Sequence, residues 1–223
     1  MKKRDRVSRY YPIFLNIGGR RCVVVGGGAV ALRKTKALLE HGASVTVISP
    51  DLCPELSRLE QNRAICVLHR GYVNGDLDNA FIVVAATDNS GINGRVVEEA
   101  RKGKVLVNVV DEPERSDFIV PSYLRRGDIA IAVSTDGKSP ALARKLRIKL
   151  EEDLGPEYTA LASLVGEVRC ELKERGITAN GDIWHEVLDI EALINMIHDG
   201  RTDEAKALLV SSLEKLGQRE VMK

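Results

Sequence analysis

Three groups of residues in this sequence have the types and spacing to do chemistry. The first is Gly26-Gly27-Gly28 followed by Ala31. It ends the β-branched run Val23-Val24-Val25 and fits the G-x-G-x-x-A pattern of a dinucleotide-binding turn. In such a turn Gly26 permits the tight bend, Gly28 lets backbone N–H groups approach a pyrophosphate, and Ala31 lets the next helix pack close to the strand. The positive end of that helix then faces the anion. The second is Asp111, which ends the apolar run Val107-Asn108-Val109-Val110 where a nicotinamide would point. A partly desolvated carboxylate there is expected to act as a general acid or base beside a hydride transfer. An aspartate at a strand end also caps turns, and spacing alone leaves that alternative open. The third is the run from Ser134 to Lys149, which gathers hydroxyls, a helix start at Ser139-Pro140 and several cations. That combination suits a substrate bearing carboxylates. Lys138 and Ser139, at the helix start, are the expected contacts; most of the remaining cations are expected on a solvated helix face.

Specificity within the cofactor site is less sharply written. A typical NAD fingerprint places an acidic residue at the end of the second strand to hold the ribose. Ser49 stands there, followed by Pro50 and Asp51. Asp51 either reaches the ribose or serves as the N-terminal charge of the next helix. The absence of an arginine in that turn favours NAD over NADP. The four histidines, His41, His69, His185 and His198, show no ligand spacing, so no metal site is expected.

The elements that must position these groups follow from periodicity. Strands are expected at Ser44–Ile48, Ala64–Leu68, Phe81–Ala86 and Val105–Val110, alternating with helices near 55–62 and 91–102, and Val30, Ala37 and Leu38 are expected on one face of the first helix. The fold class is therefore α/β, a Rossmann-type doubly wound parallel sheet, with Gly26, Ser49, Thr87 and Asp111 along its carboxyl edge. Tyr11–Asn16 reads as an extended apolar segment lying against this domain, after a loose polar stretch over residues 1–9. Past Asp111 the rhythm breaks. Phe118–Pro121 reads as extended and Asp128–Ser134 as a strand, forming a small α+β dimerisation domain whose exposed edge a second copy would cover. The rest is helical. The expected divisions are 1–114, 115–153 and 154–223.

Composition sets the remaining bounds. With 33 Lys+Arg against 32 Asp+Glu over 223 residues, the net charge of +1 advertises neither nucleic acid nor a membrane surface as partner. Cys22, Cys53, Cys66 and Cys170 form no C-x-x-C pair, which suits a reducing compartment and four small buried residues. No signal peptide or spanning run is legible, so a cytoplasmic protein is expected.

Taken jointly, these motifs resemble the precorrin-2 dehydrogenase family of siroheme biosynthesis, which includes the N-terminal half of siroheme synthase. The resemblance rests on Tyr11-Pro-Ile-Phe-Leu15, Val24–Lys34, Ala85-Ala-Thr-Asp88, Asn108-Val-Val-Asp-Glu-Pro113, Phe118-Ile-Val-Pro121 and Ala132–Arg144, in order over roughly residues 10 to 152. It implies NAD-dependent oxidation of precorrin-2 to sirohydrochlorin by a homodimer. Asp111 matches the family's essential aspartate, and Thr135 falls where a hydroxyl lines the tetrapyrrole site. Ala29, Val30, Pro50 and Asp51 match positions that contact NAD. Some members also insert ferrous iron in the same cavity. The sequence ends at Lys223 without a methyltransferase module, so the chain is expected not to make precorrin-2 itself. A non-catalytic NAD-sensing regulatory module is the competing reading, since it shares the turn and sheet and would not need Asp111.

Overall fold

The computed structural model describes residues 10–221. They form two compact units, the first running through Val120 and the second starting at Pro121. In the first unit strands and helices alternate: β1 (Arg21–Val25), α1 (Ala29–Glu40), β2 (Ser44–Ile48), α2 (Pro54–Gln61), β3 (Cys66–Leu68), β4 (Ile82–Ala85), α3 (Ser90–Gly103) and β5 (Leu106–Val109). The sheet has the order β3-β2-β1-β4-β5 with every pair parallel. The order reverses direction between β1 and β4, the crevice where open α/β sheets bind ligands.

Strand alternation explains why the runs are apolar throughout. Val23, Val25, Val83, Val107 and Val109 point to one face, where Val96, Val97 and Ala100 of α3 cover them. Cys22, Val24, Ile82 and Val84 point to the other, against Ala31 of α1 and Leu56 of α2. A sheet buried on both faces needs no polar alternation. On α1 the buried positions are Ala31 and Thr35. Val30, expected on the apolar face, is exposed at the helix start.

Two further expectations are corrected and a third cannot be compared. Tyr11, Ile13 and Phe14 are exposed rather than laid against the sheet, whose two faces are filled by other side chains. The loose stretch expected over residues 1–9 lies outside the described residues. Only Cys22 is a buried cysteine; Cys53 is half-buried, and Cys66 and Cys170 are exposed. Burial pushes the Cys22 thiol up to about 11.

The second unit opens with a hairpin, β6 (Ser122–Arg126) antiparallel to β7 (Ile129–Val133), turning at Gly127 with φ +55°. Phe118–Pro121, read from sequence as extended, forms no strand; the strand begins one residue after Pro121, whose nitrogen has no proton to donate. Helix α4 (Pro140–Asp153) packs on the hairpin. Beyond it α5 (Glu157–Glu174), α6 (Gly181–Val187), α7 (Ile190–His198) and α8 (Thr202–Val221) share a core of Leu164, Val168, Leu172, Leu193, Leu209 and Leu213. No helix among the described residues is long and apolar enough to cross a membrane.

Candidate cofactor and catalytic site

The three glycines of the turn after β1 do different things. Gly26 has φ +126°, and a Cβ there would stand 2.3 Å from the Ala86 carbonyl oxygen at the end of β4. Gly27 is closed in by the next loop: a Cβ would meet the Asp51 carbonyl oxygen at 1.8 Å. That loop is locked in place, with Cys53 N–H donating to the Gly27 carbonyl (2.8 Å) and the Ser49 hydroxyl donating to the Asp51 carbonyl (2.7 Å). Gly28 is the opposite case. It is the N-cap of α1, a Cβ there would meet nothing within 4 Å, and no side chain among the described residues caps the helix. The first turn of α1 also carries no acidic residue. The unspent N–H groups of a helix N-terminus therefore face open space in front of Gly28, Ala29 and Val30, all exposed. These residues fit the pyrophosphate of a dinucleotide.

The neighbouring expected contacts divide by what their side chains already do. Pro50 and Asp51 are exposed on the interlocked loop. The acidic residue within the first turn of α2 is Glu55, and Asp51 stands two residues before the N-cap, Cys53. Ser49 is buried and its hydroxyl shapes the loop rather than facing outward. Thr87 is similar. Its hydroxyl donates to Asn93 Oδ1 (2.8 Å), while Asn93 Nδ2 donates to the Thr87 carbonyl (3.0 Å). Asn89 caps α3, accepting from the N–H groups of Gly91 and Ile92. Thr87 thus fixes the turn that closes the switch-point crevice.

Asp111 lies two residues beyond β5 with φ +60°, a left-handed conformation uncommon for a side-chain-bearing residue. Its carboxylate makes no hydrogen bond among the described residues. The turn is held instead by Ser116, whose hydroxyl accepts from Val109 N–H (2.9 Å) and donates to the Glu112 carbonyl (2.9 Å). Turn capping is therefore not the role of Asp111. The expectation of partial desolvation is also corrected: Asp111 is exposed, because the left-handed turn carries it past the covered part of the sheet.

Sequence reasoning missed two residues behind Asp111. Lys34 of α1 is half-buried, and its ammonium donates to Asn108 Oδ1 at 3.3 Å. Asn108, buried on β5, donates in turn to the Phe118 carbonyl at 3.0 Å. Burial and the charge of Arg33 push Lys34 below the ordinary lysine range, and the negative charge of Asp111 pulls it back up. A lone asparagine inside Val107–Val110 was the available signal; the partner from α1 was not.

In the second unit Thr135, Lys138 and Ser139 come together at the start of α4. The Thr135 hydroxyl accepts from Ser139 N–H (3.0 Å) and donates to the Ser139 carbonyl (3.1 Å), and the Ser139 hydroxyl caps Leu142 N–H (3.2 Å). Both hydroxyls thus build the turn. Lys138 is exposed and its ammonium has no partner among the described residues. No group of three metal-ligating side chains occurs among the described residues.

Comparison with known proteins agrees with this geometry. Residues 13–122 match the family model for NAD(P)-binding proteins, and residues 126–152 match the model for the central part of sirohaem biosynthesis proteins. The chain is 41% identical over 207 residues to the siroheme synthase of Thioalkalivibrio sulfidiphilus, covering 92% of this chain and 42% of that protein. It is 39% identical over 208 residues to the siroheme synthase of Nitrosococcus oceani, covering 92% of this chain and 44% of that protein. The chain thus spans less than half the length of these curated relatives. Among solved structures it resembles the precorrin-2 dehydrogenase SirC, with a TM-score of 0.67 and 27% identity over 92% of this chain and all of that one.

Proposed function

The chain belongs to the precorrin-2 dehydrogenase family, and from that premise we propose that it oxidises precorrin-2 to sirohydrochlorin with NAD. The observation that carries this reading is the unspent Asp111 carboxylate on the same sheet edge as the open helix start at Gly28. Bound NAD supplies the two-electron acceptor. Of the two hydrogens precorrin-2 must lose, one would pass to the cofactor as hydride, which leaves the other to be removed as a proton. The Asp111 carboxylate takes that proton and passes it to water. Gly26, Gly28, Ala29 and Val30 hold the pyrophosphate end of the cofactor, with Pro50 and Asp51 beside the adenosine ribose. The buried hydroxyls of Ser49 and Thr87 keep the two flanking loops in shape.

Precorrin-2 carries carboxylate arms, and Lys138 is the group we assign to them, presented by the turn that Thr135 and Ser139 build. The functional divisions remain 1–114 for the cofactor, 115–153 for pairing with a second copy and 154–223 for the helices. Support for the homodimer comes from α4, where Leu142 and Leu146, one turn apart, are 50% and 43% exposed. Ferrous iron is assigned to the protein as a second substrate.

The test is a single assay. The protein is incubated with precorrin-2 and NAD, sirohydrochlorin absorbance is followed, and ferrous ion is then added to compare insertion with the uncatalysed rate. Asp111→Asn is expected to cut NAD-dependent oxidation by roughly 10²–10⁴-fold, the usual contribution of a positioned acid or base, with NAD affinity nearly unchanged. Full activity in that variant overturns the assignment. Saturable NAD binding without any sirohydrochlorin formation would instead support the regulatory module.

A further inference from the structure

A side-chain link joins α1 to β5, the strand that leads to Asp111. Lys34 sits a turn and a half into the helix that carries the phosphate cradle, yet its ammonium reaches β5, two strands from β1 in the sheet. It donates to Asn108 Oδ1 at 3.3 Å, and Asn108 Nδ2 donates to the Phe118 carbonyl at 3.0 Å. The second bond fixes which way the Asn108 amide points, so its oxygen is committed to the lysine. One donor of the ammonium is accounted for and two remain. The charged groups acting on it are Arg33, from its own helix, and Asp111, from beyond β5.

A lysine in a half-buried setting is an unusual choice for a purely structural tie. Keeping its charge there costs desolvation, and a neutral side chain would bond the amide more cheaply. What the tie adds is position: Asn108 lies on β5 three residues before Asp111, so the bond couples the cofactor helix to the strand that ends at this carboxylate.

We propose that Lys34 is a positioning residue for the dehydrogenation: its ammonium, tethered to the Asn108 side chain, ties the cofactor helix to the Asp111 turn and holds a positive charge beside the proton acceptor. The proposal rests on the reading of Asp111 given above.

The test measures kcat, KM and NAD affinity against pH for the wild type, Lys34→Met, Lys34→Arg and Asp111→Asn. Lys34→Met is expected to lower kcat by about ten- to a hundredfold, the scale of a small misplacement at a reacting centre, with KM and NAD affinity within a few-fold of wild type. The wild-type rate is expected to fall on an alkaline limb below the ordinary lysine range. Lys34→Arg keeps a charge that does not titrate, so it is expected to recover part of kcat and to move that limb to higher pH. An unchanged kcat in Lys34→Met overturns the proposal, as does a loss confined to NAD affinity. If Lys34→Met does not fold, the Lys34→Arg profile decides, and an unmoved alkaline limb overturns it. The two readings fail separately. An active Asp111→Asn sinks the function assigned to Asp111, whereas an inactive Asp111→Asn beside a fully active Lys34→Met sinks only the role of Lys34.

Discussion

Gly28 is the residue whose side-chain position is left open while those of its two neighbours are closed. An added Cβ finds nothing within 4 Å at Gly28, yet would lie against backbone carbonyl oxygens at Gly26 and Gly27. Gly28→Asp should therefore fold normally and still fail as a cofactor site, because its carboxylate would stand at the helix N-terminus in place of the phosphate. NAD affinity is expected to fall at least about tenfold, a loss of about 1.4 kcal/mol, with the melting temperature of the free protein nearly unchanged; equal affinity in a titration would remove the turn from the site. This residue was legible in the sequence because its requirement is local: strand, three small residues, helix. Lys34 and Asn108 were not. Their contact joins positions 74 apart in the chain, and no periodicity encodes a side chain crossing a sheet face. Asp111 lay between the two. Its position was readable, while the decision between base and turn cap depended on Ser116 having taken the capping role.

At the level of elements, β1, β2, β4 and β5 fell where continuous apolar runs placed them, since burial on both faces leaves a strong signal. The start of β3 was read two residues too early, and β6 was missed. Ser122-Tyr-Leu-Arg-Arg126 has few apolar side chains, and its pairing is set by the turn at Gly127 rather than by its own pattern. The long connection from β3 to β4 is held without regular structure. Asp76 accepts two hydrogen bonds from Arg70 (2.8 and 2.7 Å) and one from Val73 N–H (2.9 Å). Glu99 of α3 binds the same loop through Tyr72 OH and the N–H groups of Gly75 and Leu77. The Arg70 bonds hold the Asp76 carboxyl below its ordinary value of 3.8. A depressed carboxyl contributes stability that is complete above that ordinary value and is lost as pH falls through the lower, folded one. Asp76→Asn is expected to cost roughly 1–3 kcal/mol at pH 7 and progressively less below pH 3.8. Urea denaturation at pH 7 and pH 3 measures this, and an equal cost at both would assign the effect to packing instead.

For the molecule as a whole, each unit has its own core, the sheet faces in the first and the helix cluster in the second. On the second unit the described chain leaves uncovered, besides the separate residues Ile190 and Leu208, the apolar stripe of α4. If a second copy covers it, Leu146→Lys should shift the protein from dimer to monomer in analytical ultracentrifugation at micromolar concentration, because a buried unpaired ammonium is strongly disfavoured. A dimer that persists unchanged places the interface elsewhere. The amphipathic pattern of α4 was visible in sequence as cations around a helix; that Leu142 and Leu146 stay exposed was not, since a sequence does not say which face a tertiary neighbour takes.

The interlock between Gly27 and the Asp51 carbonyl has one more implication. The backbone of the 49–53 loop is clamped against the glycine turn, while the side chains of Pro50 and Asp51 project into solvent. On the proposed reading, in which the turn holds the phosphates and Asp51 lies beside the ribose, grip and cofactor choice would reside in separate atoms. An exchange at position 51 is then expected to retune cofactor preference while leaving the backbone clamp at Gly27 intact, because that clamp uses no side-chain atom of residue 51.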